Sequence, residues 1–336
     1  MGTTSSINTN SEKVLKEIKE KMSTNIPLLR TPKTVQILLI RQTHDYTVLR
    51  TEETRELNIG VTPTSITNSK QKARVVFLAS KQKAPETREF AAFIKEYYKK
   101  FELSEMKEQK ELKDQVLGCE IKDKLCRACP RCTFFGAVVT ENNSKFKRWN
   151  IKHRIEYSSA FSLESYELVS ENITFNAVTE STQLTEQALG VTENVSPLTN
   201  FPSIITLNSP TWQELVLVIK NLLRCKSYGA EGRTKGDTVN YITGILFAEE
   251  EVLTSLEYLL ELEAADKNKG VLDQTYDIAK KYVDMAALKE GIRLLTANEL
   301  ELFIDSVQNL QVSKEFISKA FNDSVEFATA IDRLTK

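Results

Sequence analysis

The stretch SIITLNSPTWQELVLVIKNLLRCKSYGAEGRTKGDTVNYITGILF, residues 203–247, changes its periodicity three times. Ser203 to Leu207 is a short β-branched apolar run, which predicts a strand. Thr211 to Leu223 sets apolar residues at helical spacing behind Pro210, with Ser209 or Thr211 as the cap, which predicts an amphipathic helix. Tyr228 to Gly236 holds three glycines and predicts a turn, and Val239 to Phe247 reads as a second apolar strand. Strand, helix, glycine turn, strand fits an α+β sheet of ferredoxin-like or RRM-like type.

Outward from this unit, Val35-Gln-Ile-Leu-Leu-Ile40 is a continuous apolar run of the kind found in strands covered on both faces. Tyr46 to Arg50 and Ala73 to Ala79 are expected as strands, separated by a loop around Pro63. After Pro85 the apolar residues Phe90, Phe93, Ile94 and Tyr97 fall at helical spacing, and a second, highly charged helix runs toward Leu117. Ile155–Tyr157 and Ile173–Phe175 alternate as strands do. Between Asn176 and Pro202 the chain is mostly Thr, Asn, Glu and Ser, the composition of a projecting arm. Ser11 to Met22 is expected as a short helix behind a polar tail. From Glu249 onward only helices are expected, over 249–265, 273–290, 297–310 and 313–334.

The chain has 336 residues, 41% hydrophobic and 27% charged, enough for about two compact units with a real core. No apolar run reaches the roughly 18 residues of a membrane span, and the N-terminus lacks the order of a signal peptide. A cytoplasmic protein without a membrane partner is expected. The 45 basic and 46 acidic residues give a formal charge of −1. That neutrality is a cancellation. Residues 249–336 hold ten basic and 18 acidic residues, a net of −8, which leaves +7 for residues 1–248.

Four of the five cysteines fall within 14 residues, as Cys119-x6-Cys126-x2-Cys129-x2-Cys132. Two-residue spacers let neighbouring thiolates reach one ion, and four thiolates suit structural Zn2+ with no position left open for water. An iron–sulfur cluster and unliganded thiols are the alternatives; paired disulfides do not suit a cytosolic setting. Cys225 reads as an ordinary buried cysteine.

Residues 119–154 contain nine Lys or Arg, among them Lys152 and Arg154, against three acids, with Phe146 and Trp149 interleaved. Such a run neutralises phosphates and stacks on bases, or is merely a solvated face. The second basic site runs from Arg224 and Lys226 through Gly229, Gly232, Arg233, Lys235 and Gly236. Its glycines bring backbone N–H groups close to an anion, although the order of a Walker loop is missing. Arg41, Lys70 and Arg74 are expected to extend this surface. For catalysis only His44 and Asp45, just after the first strand, stand out, and a loop His beside an Asp is usually a solvated pair.

Several segments, taken in order, resemble one family. Cys129-Pro-Arg-Cys132-Thr-Phe-Phe135-Gly136, then Thr174-Phe-Asn176-Ala-Val178-Thr-Glu180-Ser-Thr182, then Glu193-Asn-Val-Ser-Pro197 through Phe201-Pro202, and Tyr228-Gly-Ala230 through Gly236 are similar to backbone subunits of CRISPR effector complexes. These belong to the RAMP superfamily, and the likeness points to the type I-D (Cascade) branch. The resemblance implies a modified RRM-like core over 33–248, with a lid, a helical and zinc-binding insertion over 85–135 and a thumb over 172–202, followed by an acidic helical domain over 249–336. It implies binding of CRISPR RNA along its backbone, head-to-tail stacking of copies into a filament, and contact with target nucleic acid and other effector subunits. Phe175, Asn176 and Val178 would lie on the thumb, Gly229, Gly232, Arg233 and Gly236 on a turn near RNA, and Arg41 on the first strand facing phosphate. Related type III subunits cleave target RNA with an acid, for which Asp45 is the candidate, in a local context that departs from theirs. The readings to be separated are an RNA-binding backbone subunit, a metal-dependent nuclease acting through His44 and Asp45, and a zinc-stabilised interaction module.

Overall fold

The computed structural model describes residues 13–50, 56–103, 113–121, 124–138, 149–178, 185–229, 236–266, 268–295 and 297–334, with only the backbone of 175–178 and 185–190. In chain order, a helix α1 over 13–21 precedes β1 (Thr34–Thr43), β2 (Ile59–Pro63), β3 (Gln71–Phe77) and α2 (Ala79–Lys100). Next come α3 (Lys113–Leu117), α4 (Pro130–Phe135), β4 (Ile155–Tyr157), β5 (Ala160–Phe161) and α5 (Tyr166–Val169). β6 (Ser170–Val178), β7 (Thr185–Val195), β8 (Asn200–Asn208), α6 (Trp212–Arg224) and β9 (Thr238–Ala248) follow. The last part holds α7 (Ser255–Ala264), α8 (Thr275–Met285), β10 (Arg293–Leu294), α9 (Ala297–Asn309) and α10 (Lys314–Leu334).

The main sheet has the order β10-β9-β1-β8-β4. β1 lies between β8 and β9, antiparallel to both, with Thr34 opposite Asn208 on one side and Ala248 on the other. Without β10 this is the arrangement of a ferredoxin-like β-α-β-β-α-β unit, built from β1, α2, β4, β8, α6 and β9. The other segments are insertions. β2, β3 and β5 make a small second sheet, and β6 and β7 a separate hairpin.

The run Val35–Ile40 is buried throughout because both faces of β1 are covered. Val35, Ile37 and Leu39 join Phe90 and Ile94 of α2 and Leu215 and Ile219 of α6, together with Phe303, Phe321 and Phe327 of α9 and α10. Leu38 and Ile40 point the other way, into Tyr258, Leu262, Ile278 and Tyr282 of α7 and α8. Each large apolar side chain so buried contributes roughly 1.5–3 kcal/mol. The helices after Glu249 therefore share both cores with the sheet, and β10 pairs with Phe247 and Leu246 at its edge.

α6 starts as expected. Thr211 accepts from the Glu214 N–H, and the Glu214 carboxylate accepts from the Thr211 N–H, a reciprocal cap. Four expectations are corrected. α2 begins at Ala79, six residues before Pro85, which sits inside the helix. Pro85 is the seventh helical residue and has no N–H to give the Lys81 carbonyl, so α2 carries it with one helical hydrogen bond missing. Tyr46–Arg50 forms no strand; Thr47 makes a single antiparallel bridge to Val195. The polar segment 176–202 is only partly an arm, since its last three residues begin β8 of the main sheet. The helix expected over 249–265 begins only at Ser255, capped by Thr254. Among the described residues no helix is long and apolar enough to cross a membrane.

Candidate nucleic-acid interface and metal centre

Three segments far apart in sequence meet at the end of the main sheet where β1 runs out. The His44 N–H donates to the Asp237 carbonyl at 2.7 Å, and the Thr238 N–H to the Lys226 carbonyl at 2.8 Å, so the 44–48 loop and the glycine turn hang from the same strands. Thr47 and Val195 exchange backbone hydrogen bonds at 3.0 and 2.8 Å, fixing the loop to the base of the β6–β7 hairpin. The Tyr46 hydroxyl adds a bond to Glu171 on β6 at 2.9 Å. A small apolar cluster of Leu49, Val75, Phe77, Val195, Phe201 and Tyr228 packs beneath all three.

The turn needs its glycines. Gly236 has φ +62°, and a Cβ there would lie 1.9 Å from the Tyr228 carbonyl oxygen, while the Tyr228 N–H closes the turn by donating to the Gly236 carbonyl at 3.0 Å. Gly229, at φ +113°, rests against the Val48 backbone. Lys226, His44 and Asp45 are exposed beside them. Asp45 caps its own loop by accepting the Tyr46 N–H at 2.7 Å. His44 lies in a polar row across the open end of the sheet, with Nε2 3.1 Å from Gln42 and 3.4 Å from the Tyr241 hydroxyl, while Gln42 donates to Asn200 at 3.0 Å.

Of the residues expected to bind RNA, the structure thus brings Lys226, Gly229 and Gly236 to one place, beside the backbone of the hairpin that carries Phe175, Asn176 and Val178. Gly232, Arg233 and Lys235 lie outside the described residues. Lys70 is exposed in the β2–β3 turn, and Lys152 is exposed near Glu156. Arg224, at the end of α6, lies over the Phe93 ring at 4.6 Å and near Glu89. Arg154 is an internal tie between β4 and α6, donating to both carboxylate oxygens of Glu214.

Arg41 and Arg74 are corrected: both are fully buried, 0% exposed, and face no surface. Arg74 donates to Thr62 and to the carbonyls of Ser162 and Leu163. Arg41 donates to Glu86 of α2 at 2.6 Å, to Asn240 of β9 at 2.8 Å, to Ser203 of β8 at 3.1 Å and to the Tyr228 hydroxyl at 3.2 Å. Glu86 also accepts the Tyr228 and Tyr157 hydroxyls at 2.8 and 2.7 Å. Burial, reinforced by the Glu86 carboxylate, pushes both tyrosines well above their ordinary range. Glu86 disfavours their phenolates and holds the guanidinium charged, so a buried ion pair braces the glycine turn through Tyr228. Glu86 was not foreseen, although it stands one turn before Phe90 on the apolar stripe of α2, where a lone charge signals a buried partner.

Cys119, Cys126, Cys129 and Cys132 are all buried, and their sulfur atoms lie within 4.8 Å of one another. Cys119 is 3.4 Å from Cys132 and 3.9 Å from Cys129, and Cys126 is 3.9 Å from Cys132. A tetrahedron with metal–sulfur bonds of about 2.3 Å has edges of about 3.8 Å, so the four sulfurs fit a single ion. Hydrogen bonds from the other three thiols pull Cys132 well below its usual range, while the same contacts and burial hold Cys126 and Cys129 well above theirs. Only a cation lets all four ionise together. The centre ties into the core through Thr133 of α4, whose hydroxyl is 3.0 Å from that of Ser324 on α10. Among the described residues it is the one such group of His, Cys, Asp and Glu ligands; His44 and Asp45 form none.

No curated protein matches the sequence. Among solved structures, the chain is similar to Thermofilum pendens Csc2 at 20% identity and a TM-score of 0.62, over 95% of this chain and 96% of that one. Two further similar chains come from a "CRISPR RNA-guided surveillance complex, pre-nicking" (11% identity, TM-score 0.47, 75% of this chain and 88% of that one) and a "CRISPR RNA-guided surveillance complex" (13%, 0.46, 88% and 99%). A family model described as Csc2 Crispr matches residues 20–329, nearly the whole length, and the chain belongs to that Csc2 CRISPR family.

Proposed function

We propose that the protein is the backbone subunit of a type I-D CRISPR effector complex, holding CRISPR RNA by its sugar-phosphate backbone at the end of the main sheet. The convergence of the 44–48 loop, the glycine turn and the base of the β6–β7 hairpin carries this reading. A guide of arbitrary sequence has to be held by phosphate and 2′-OH contacts and by stacking rather than by base edges. An exposed lysine beside the glycines at 229 and 236 supplies the first kind of contact, and the hairpin, read as a thumb over 172–202, the second. Residues 33–248 are the RNA-binding core, and the acidic residues 249–336 suit contact with the basic part of a neighbouring copy in a head-to-tail stack. The four cysteines hold Zn2+ as a structural ion, and the subunit contacts target nucleic acid through the guide without cleaving it.

The test is RNA retention. Purified protein is expected to carry RNA, and Lys226→Glu to weaken guide binding at least about tenfold while reducing the salt dependence by the equivalent of one phosphate contact or more. Unchanged affinity and salt slope in Lys226→Glu overturn the site; protein free of RNA with no salt-dependent affinity overturns the function.

A further inference from the structure

On the opposite side of α2 from Glu86 the structure has a groove of about 820 Å³ between α2 and the cysteine-bearing segment. Lys83, Arg88, Lys95 and Arg131 line it, and Glu120 is the one acid among its lining residues. That acid is already engaged with Lys124 at 2.8 Å. Among the described residues no acid pairs with Lys83, Arg88 or Lys95. Arg131 is 7% exposed, and its guanidinium donates to the Gly136 carbonyl at 3.1 Å. It stands between Cys129 and Cys132, so the metal centre fixes its place. Burial and the Arg131 charge push the Lys83 ammonium below its ordinary range, an effect the Glu156 carboxylate offsets only in part.

Along α2 the cations at 83, 88 and 95 span about 18 Å, the reach of several consecutive phosphates. Ala84 and Ala91 keep the floor low between them. We propose that this groove is a second nucleic-acid contact, binding consecutive phosphates of a strand other than the guide. Excess cations along a line, with no exposed aromatic among the lining residues, fit a phosphate backbone passing without base stacking. An acidic protein helix is the rival occupant.

The test uses full-length protein already carrying its RNA, with fluorescein-labelled oligothymidylate, which offers phosphates without pairing to a mixed-sequence guide. Wild type is expected to bind it, and Lys83→Glu with Arg88→Glu to weaken binding at least about tenfold and flatten the salt slope by about 0.7 per lost contact. Arg88→Glu alone, at an exposed position, is the control for folding and is expected to show a smaller loss in the same direction. Unchanged affinity in both variants, or tighter capture of polyglutamate than of oligothymidylate by wild type, overturns the proposal. Loss in Lys226→Glu alone assigns the binding to the sheet end and overturns the groove, whereas loss in the groove variants alone supports the groove even if the sheet-end site fails. Inorganic phosphate separates the sources: displacement only at high concentration supports a run of phosphates, and displacement at trace concentration overturns it in favour of a single free phosphate.

Discussion

Replacing Glu86 by Gln tests the interior of this molecule most directly. The substitution keeps size and one acceptor but strands the Arg41 guanidinium, 0% exposed, without a counter-charge. Removing one partner of a buried pair costs about 3–5 kcal/mol. With a denaturant slope near 3 kcal/mol per molar urea, the unfolding midpoint falls by about 1–1.7 M. Taking out both charges, as Arg41→Met with Glu86→Leu, removes the stranded ion but leaves the Tyr157 and Tyr228 hydroxyls, Ser203 and Asn240 short of partners, at about 1–3 kcal/mol each. The double variant is therefore expected to cost less than Arg41→Met and Glu86→Leu summed, with a coupling energy of about 2 kcal/mol or more across that cycle. Arg41 is held further toward its charged form, and Tyr157 and Tyr228 toward their neutral forms, so the loss is expected to be equal at about pH 6 and pH 9. Equilibrium urea unfolding of the single and double variants decides the matter. A shift under about 1 kcal/mol for Glu86→Gln, or strictly additive effects, refutes the assignment of a tightly coupled buried pair.

Cys132→Ser is expected to abolish stoichiometric zinc, read by elemental analysis, and to lower the melting temperature, since α4 and α10 are tied through that segment. Gly236→Ala, which alters no charge, forces an L-residue into φ +62° and against the Tyr228 carbonyl, so it is expected to weaken RNA binding at least about tenfold in a filter-binding assay and to cost at least about 1 kcal/mol of stability. The Cys225 thiol, buried and pushed up to about 11, is expected to resist a thiol reagent at neutral pH in folded protein and to react once urea opens the chain.

The ferredoxin-like core was legible because each of its pieces has its own period: Val35–Ile40 and Val239–Phe247 as buried runs, Thr211–Leu223 as an amphipathic helix. The cysteine spacing was legible because ligand geometry is local. The roles of Arg41 and Arg74 were not, because a basic residue next to a strand reads the same whether it meets phosphate or a carboxylate from another element. Only the fold brings Glu86 to Arg41 and Glu263 to within 3.5 Å of Arg74. The start of α2 was missed for a related reason: Pro85 reads as a boundary, yet the helix contains it. The groove along α2 could not be seen in sequence at all, since Arg131 comes from a segment that Lys83 meets only through the placement of the four-cysteine cluster.

The pairing of Thr34 with Ala248 bears on how the chain is made. β1 is the central strand of the main sheet and is synthesised first, while both of its neighbours arrive only near residues 200–208 and 238–248. At about 5–20 residues per second, the apolar run Val35–Ile40 waits on the order of 10–40 s for its second partner. During that interval it is a mostly hydrophobic strand with two open edges, an arrangement prone to pair with another chain. Its yield in a cell therefore depends on whatever shields those six residues until β9 leaves the ribosome.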